Sequence, residues 1–280
     1  MHIRYDSALT ASPFGRLGLS LLFIALTAAL LAPLLVKYSP AAYTGDIFHP
    51  PCAEYWLGTN EVGQDIWAQL IYGARTSLTV AGGTAVLAVA LSLLLGGLAA
   101  ILGSLVDRVI LRLIDIWLVL PPVIVVTLFA AYLRPSVLLL ITLLAAFMWP
   151  GGARIVRAQT LVLKNKASYA AATTFGAPKR YLLRKHILPD LGPTLSALFI
   201  QYARRAIFME AGLSFLGISD PGLISWGKMM QQAMAFTYLD VWQWWLLPPG
   251  LAVSLTIAGL AFTGLALETV LDPRLRSEKR

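Results

Sequence analysis

From Ser77 to Val106 the chain runs for about 30 residues without a charged side chain. About 20 helical residues cross the roughly 30 Å hydrocarbon core of a bilayer. A run this long and this apolar predicts a membrane-spanning helix. Five further runs have a similar character: Leu17–Val36, Ile116–Leu133, Pro135–Ala153, Thr194–Leu216 and a stretch within Val241–Leu267. The fifth in chain order, Thr194–Leu216, is interrupted by Arg204, Arg205 and Glu210. None alternates in polarity over about ten residues, as the strands of a membrane barrel would. The expected fold is an all-α membrane protein with six transmembrane helices.

Composition supports this. The chain is 58% hydrophobic and 13% charged, with a mean hydropathy of +0.73, which is too apolar for a soluble domain of this length. The net charge of +8 would suit nucleic acid if it formed one surface. Instead it sits in a few loops, so no nucleic-acid partner is expected. With the N-terminus inside, sixteen Lys and Arg residues fall on inner segments and four (Lys37, Arg75, Arg134, Lys228) on outer ones. This bias puts both termini in the cytoplasm. Cys52 is the only cysteine, and His2, His49 and His186 lack metal-ligand spacing. No metal or cofactor is expected in this chain.

The organisation follows. Residues 1–16 form a cytoplasmic segment, 17–36 the first span and 37–76 an extracytoplasmic loop. Residues 77–269 form a five-span core with an inner loop at 154–192, and 270–280 form a cytoplasmic tail. Within the inner loop, Ser168–Asp190 reads as a helix–turn–helix. Ala170, Ala171 and Ala172 favour helix, and Gly176 with Pro178 breaks it. Lys179, Arg180, Arg184 and Lys185 restart it with a charged face, and Pro189 is expected to end it. Such a knob is a place for a soluble partner to grip. Trp242, Trp244 and Trp245 are expected in an outer interfacial belt, and Asp115 in a local ion pair with Arg112.

Three segments carry a resemblance. Tyr55–Val80, YWLGTNEVGQDIWAQLIYGARTSLTV, resembles the outer-loop signature of the dipeptide/oligopeptide/nickel permease family of ATP-binding-cassette importers. MEAGLSFLG at Met209–Gly217 with SWG at Ser225–Gly227 resembles that family's E-A-x-L-S-F-L-G and S-W-G. LDPRLR at Leu271–Arg276 resembles its C-terminal ending. The inner loop resembles the E-A-A–x3–G–x9–I-x-L-P coupling motif of importer permeases, with Ala170 where the motif has Glu and His186 at its first Ile.

The resemblance implies a C-type permease subunit with a type I importer fold and a coupling helix between spans four and five. It implies ATPase coupling through Ala170, Ala171, Ala172, Phe175, Gly176 and Pro189. The partners it implies are a homologous B-type permease, two ATPase subunits that carry ATP and magnesium, and an extracytoplasmic solute-binding protein. The location would be a bacterial or archaeal plasma (inner) membrane, in contact with lipid. The cargo would be peptides, nickel or metal–chelator complexes. Gly222–Lys228, GLISWGK, fits G-x4-G-K, but Met229 replaces the Ser or Thr that holds magnesium. ATP hydrolysis therefore belongs to other chains, and this one is not an enzyme.

Arg204, Arg205 and Glu210 are candidates for the translocation pathway, because charge inside a membrane is costly and marks function. A second reading holds that the fifth helix starts late and the arginines snorkel to the cytoplasmic surface. An ion-coupled secondary transporter is the alternative function. It would need intramembrane carboxylates, for which Glu210 is the strong candidate.

Overall fold

The computed structural model describes residues 12–133, 136–220 and 222–271. The tail 272–280, most of the segment 1–16 and all but the first residue of the C-terminal LDPRLR match lie outside the described residues. The fold is all-α. An isolated bridge between Thr59 and Asp65 is the β pairing found among the described residues.

Helix α1 (Pro13–Leu30) is capped by the Ser12 hydroxyl and continues after Leu31 into a short α2 (Ala32–Leu35). Helix α3 is the axis of the molecule and runs from Ile66 to Leu102. The sequence places this span within Ser77–Val106, but the helix begins eleven residues earlier. Asp65 caps it, its Oδ1 accepting from the Trp67 amide at 3.1 Å. The polar residues Gln69 and Arg75 hide this first stretch from a hydropathy reading. The segment before the helix therefore closes at Asp65, inside the expected 37–76 loop.

The third expected span, Ile116–Leu133, is not one helix. Helices α4 (Ser104–Val119) and α5 (Pro122–Tyr132) meet at 82°. Pro121–Pro122 forces the break: a residue before proline avoids the helical region, and Pro122 cannot donate its backbone nitrogen. Helix α6 (Val137–Lys164) follows, then α7 (Ala167–Thr174), α8 (Lys179–Leu182) and a π-helical turn at Leu183–Ile187. That turn runs into α9 (Leu188–Phe215). Pro189 therefore opens a helix rather than ending one. Its ring crowds the preceding turn, and the chain widens so that the Leu188 amide bonds the Leu183 carbonyl. Helices α10 (Trp226–Met234), α11 (Trp242–Trp245) and α12 (Leu247–Leu271) complete the order.

Among the described residues four helices are long and apolar enough to cross a membrane, five if α4 and α5 make one bent span. The six expected spans are not all met by that measure. Helix α9 has the length, at 28 residues, but carries Asp190, Arg204, Arg205 and Glu210.

Helix α3 packs against α6, α9 and α1, and α12 lies against α1 and α9. Small residues set the close approaches. A Cβ on Gly96 would lie 2.3 Å from the Ala153 carbonyl oxygen, and one on Gly152 would lie 1.9 Å from the Tyr202 hydroxyl. Here Ser92 Oγ donates to the Trp149 carbonyl at 3.0 Å and pairs with Tyr202 Oη at 3.1 Å. These bonds tie α3 and α9 to α6 beside Pro150.

Candidate functional site

The outer signature folds a turn. Asn60 Oδ1 accepts from the amides of Val62 (3.1 Å) and Gln64 (2.8 Å). Gly58 takes a φ of +70°, and a Cβ there would stand 2.3 Å from the His49 carbonyl. Asp65 is buried, and that burial raises its carboxyl above the ordinary aspartate value, against the pull of the helix amides it accepts from. Arg75 stays exposed, with its guanidinium 5.8 Å from the Tyr72 ring centre. Trp245 does not join an interfacial belt. It is fully buried, stacked on Phe236 at 5.7 Å and set against Phe48.

The separate signature segments meet at Glu210. This carboxylate is 1% exposed. Its Oε2 accepts from Ser77 Oγ at 3.0 Å and its Oε1 from Ser214 Oγ at 2.8 Å. Ser77 Oγ also accepts from the Trp226 amide at 3.3 Å, and Trp226 Nε1 donates to the Leu70 carbonyl at 3.0 Å. A Cβ on Gly227 would come within 2.6 Å of the Ala211 carbonyl oxygen. So α3, α9 and the start of α10 are knotted around one buried acid. Sequence reasoning named Glu210 but missed Ser77, Ser214 and Trp226. Each lies inside a signature segment, which was the available signal. Glu210 does not share a surface with Arg204 and Arg205. It is enclosed, so it sits at a packing centre rather than on an open wall.

The arginines lie on the outward face of α9. Both are exposed, while Tyr202, Ala203, Ala206 and Ile207 beside them are buried. Gln201, Arg204, Arg205, Phe208 and Ile257 line a groove of about 350 Å³. Arg205 also borders a recess with Pro122, Phe147 and Met209. Neither arginine forms an ion pair among the described residues. Helix α9 runs without a break from Leu188, and sixteen residues at about 1.5 Å each put Arg204 roughly 24 Å along it from Leu188.

At the end of the bundle that carries the 167–189 loop, ion pairs join helices rather than neighbours in sequence. Asp115 pairs with Arg154 of α6, not with Arg112, and Asp107 pairs with Arg157 (Nη2 to Oδ2, 2.6 Å). Lys166 Nζ reaches Asp190 Oδ2 at 2.7 Å and ties the base of the inner loop to α9. Beyond this tie, α7 has no buried residue. Ala170 and Ala171 are exposed, Ala172 is half-buried, and Phe175 is 91% exposed. Gly176 has a φ of +76°. The Ala177 amide bonds the Ala172 carbonyl at 3.0 Å, closing a Schellman turn that only glycine enters without strain. Pro189 is exposed at the far side of the loop.

Comparison with known proteins agrees with this arrangement. The sequence profile of the binding-protein-dependent transport system inner membrane component matches residues 92–277. The chain is similar to the dipeptide transport system permease protein DppC of Bacillus subtilis (strain 168), 34% identical over 264 residues that cover 92% of this chain and 81% of that protein. It is also similar to a protein of Brucella abortus biovar 1 that bears a provisional name as a peptide transport system permease, 36% identical over 266 residues (94% of this chain, 88% of the relative). With its multi-pass helices, its knotted signature segments and its protruding loop between α6 and α9, the chain belongs to the family of inner-membrane components of binding-protein-dependent transport systems, as a permease that carries out no catalysis itself.

Proposed function

We propose that this chain is the C-type permease of an ATP-driven peptide importer that works by alternating access. It would span the membrane six times, with α9 as the fifth span and both termini in the cytoplasm. Its partners would be a homologous B-type permease, two ATPase subunits that bind ATP and magnesium, and an extracytoplasmic solute-binding protein. Peptide cargo is favoured over nickel or metal–chelator complexes by the names of the Bacillus and Brucella relatives.

The observation that carries the reading is the knob at residues 167–176, whose helix α7 has no buried residue, while Leu182 and Ile187 after the turn are buried and root the loop on the span bundle. A soluble ATPase that closes on ATP binding would grip Ala170, Ala171, Ala172 and Phe175 and turn against the rigid Gly176 bend. The Lys166–Asp190 tie and the unbroken run from α8 into α9 would carry that displacement into the membrane. Coupling requires that the partner's contact energy differ between the two gate states. Arg204 and Arg205 would line the cavity between the two permeases, because two unpaired guanidinium groups in mid-span need water or a polar partner. Glu210 would hold the outer gate together. An ion-coupled carrier would need a titrating acid that faces a cavity, and Glu210 is enclosed.

The test is reconstitution of the chain with the ATPases and the binding protein encoded alongside it. ATP hydrolysis should rise several-fold with peptide-loaded binding protein, and peptide uptake should require ATP. Uptake driven by an ion gradient without ATP would overturn the reading.

A further inference from the structure

Two neighbouring arginines stand on an exposed face of α9 near the middle of the expected span Thr194–Leu216, and no acid among the described residues pairs with them. The acids of the span bundle are committed or distant. Glu210 is enclosed with Ser77 and Ser214, Asp107 and Asp115 pair with Arg157 and Arg154, and Asp190 pairs with Lys166. Glu268 follows the groove residue Ile257 by eleven helical positions on α12, or about 16 Å along the axis. The groove before the arginines adds one amide, Gln201, and two apolar walls, Phe208 and Ile257. Guanidinium groups stay charged at every working pH and present forked donors that match a carboxylate. In a cavity of reduced dielectric, that pair lowers the energy of an anion and raises that of a cation.

We propose that Arg204 and Arg205, with Gln201, form an anion-selective station in the translocation pathway. It takes the carboxylate groups of peptide-like cargo and excludes free divalent cations. The proposal rests on the reading of this face of α9 as a pathway wall. It adds a substrate class: cargo with an exposed carboxylate passes, and a bare metal ion does not. The apolar side of the groove suits the body of a small organic acid or peptide, while the two guanidinium groups and the Gln201 amide hold its charged end.

Two measurements test it on the assembled importer in a Cys52→Ser background. In the first, the Phe208→Cys variant is reacted with an anionic and a cationic methanethiosulfonate of similar size. Both reagents should react, with the anionic one favoured, and Arg204→Gln with Arg205→Gln should lower the anionic-to-cationic rate ratio about tenfold or more. Arg204→Lys with Arg205→Lys should restore most of that ratio. In the second, uptake of Ala-Glu-Ala is compared with uptake of Ala-Lys-Ala. The same binding protein serves every variant, so its preference cancels when ratios are compared. The double Gln variant should lower the anionic-to-cationic uptake ratio about fivefold or more.

If the Phe208→Cys variant reacts with neither reagent, the face is covered by lipid or by the partner permease, and the pathway reading fails with the proposal. If both reagents react but the ratio is indifferent to the arginines, the face is a pathway wall and the anion selectivity is wrong. A partner carboxylate that neutralises the pair would give that second result.

Discussion

Glu210 and Phe175 mark opposite ways of using a side chain in this molecule. Glu210 is 1% exposed and joins α3, α9 and α10 through Ser77 and Ser214. Phe175 is 91% exposed at the tip of a helix with no buried residue. The half of the protein that holds the signature segments is fixed by a polar knot inside close helix contacts. The knob is fixed by its own backbone turn, by the Lys166–Asp190 ion pair at its base, and by the buried Leu182 and Ile187 that follow the turn. A gate must move as a body, so its parts are bonded to one another. The coupling role proposed for the knob needs a surface that another chain can cover, and the uncovered Phe175 offers one.

The comparison can be broken first at the knot. Glu210→Ala leaves the hydroxyls of Ser77 and Ser214 without their acceptor. Each buried polar group stranded in this way costs about 1–3 kcal/mol. The detergent-solubilised variant should unfold well below the wild type, and it should lose outer-gate function even where some protein folds. A melting temperature equal to wild type would show that the knot is not structural.

A smaller effect sharpens the same point at the outer turn. Asp65 caps α3, and burial raises its carboxyl. A raised aspartate pKa means that the folded state binds more protons than the unfolded state. Its contribution to stability is then best at low pH and falls as pH rises from the unfolded value toward the raised folded one. Asn caps a helix about as well as Asp and carries no buried charge. Asp65→Asn should therefore hold or slightly raise stability at neutral pH, within about 0.5 kcal/mol, and should flatten its pH dependence in the acid range. A clear loss at neutral pH would mean that the charge itself holds the turn.

The membrane class, the outer signature and the Gly176 turn were all legible in the sequence, because each depends on a local property. Uncharged length marks a span, and a glycine after an alanine run marks a helix stop. The rest depended on partners distant in sequence. Asp115 looks toward Arg112 along its own helix, but α6 brings Arg154 to it. Trp245 looks interfacial beside Trp242 and Trp244, but Phe236 and Phe48 enclose it. Pro189 reads as a stop because a short pattern does not show that a π turn can absorb a proline. The enclosure of Glu210 is hidden because the segments that surround it are scattered from Ser77 to Trp226.

On the function proposed above, the knob transmits force through its Gly176 turn. Gly176 isolates it, because an added Cβ would meet nothing within 4 Å while the φ of +76° resists a β-branched residue. The decisive measurement is peptide moved per ATP hydrolysed by the reconstituted importer carrying Gly176→Val. Insertion should be normal and the melting temperature lowered by no more than about 5 °C, with uptake per ATP reduced about tenfold or more, the effect expected when a contact worth roughly 1.4 kcal/mol is lost. Wild-type uptake per ATP in that variant would contradict the claim.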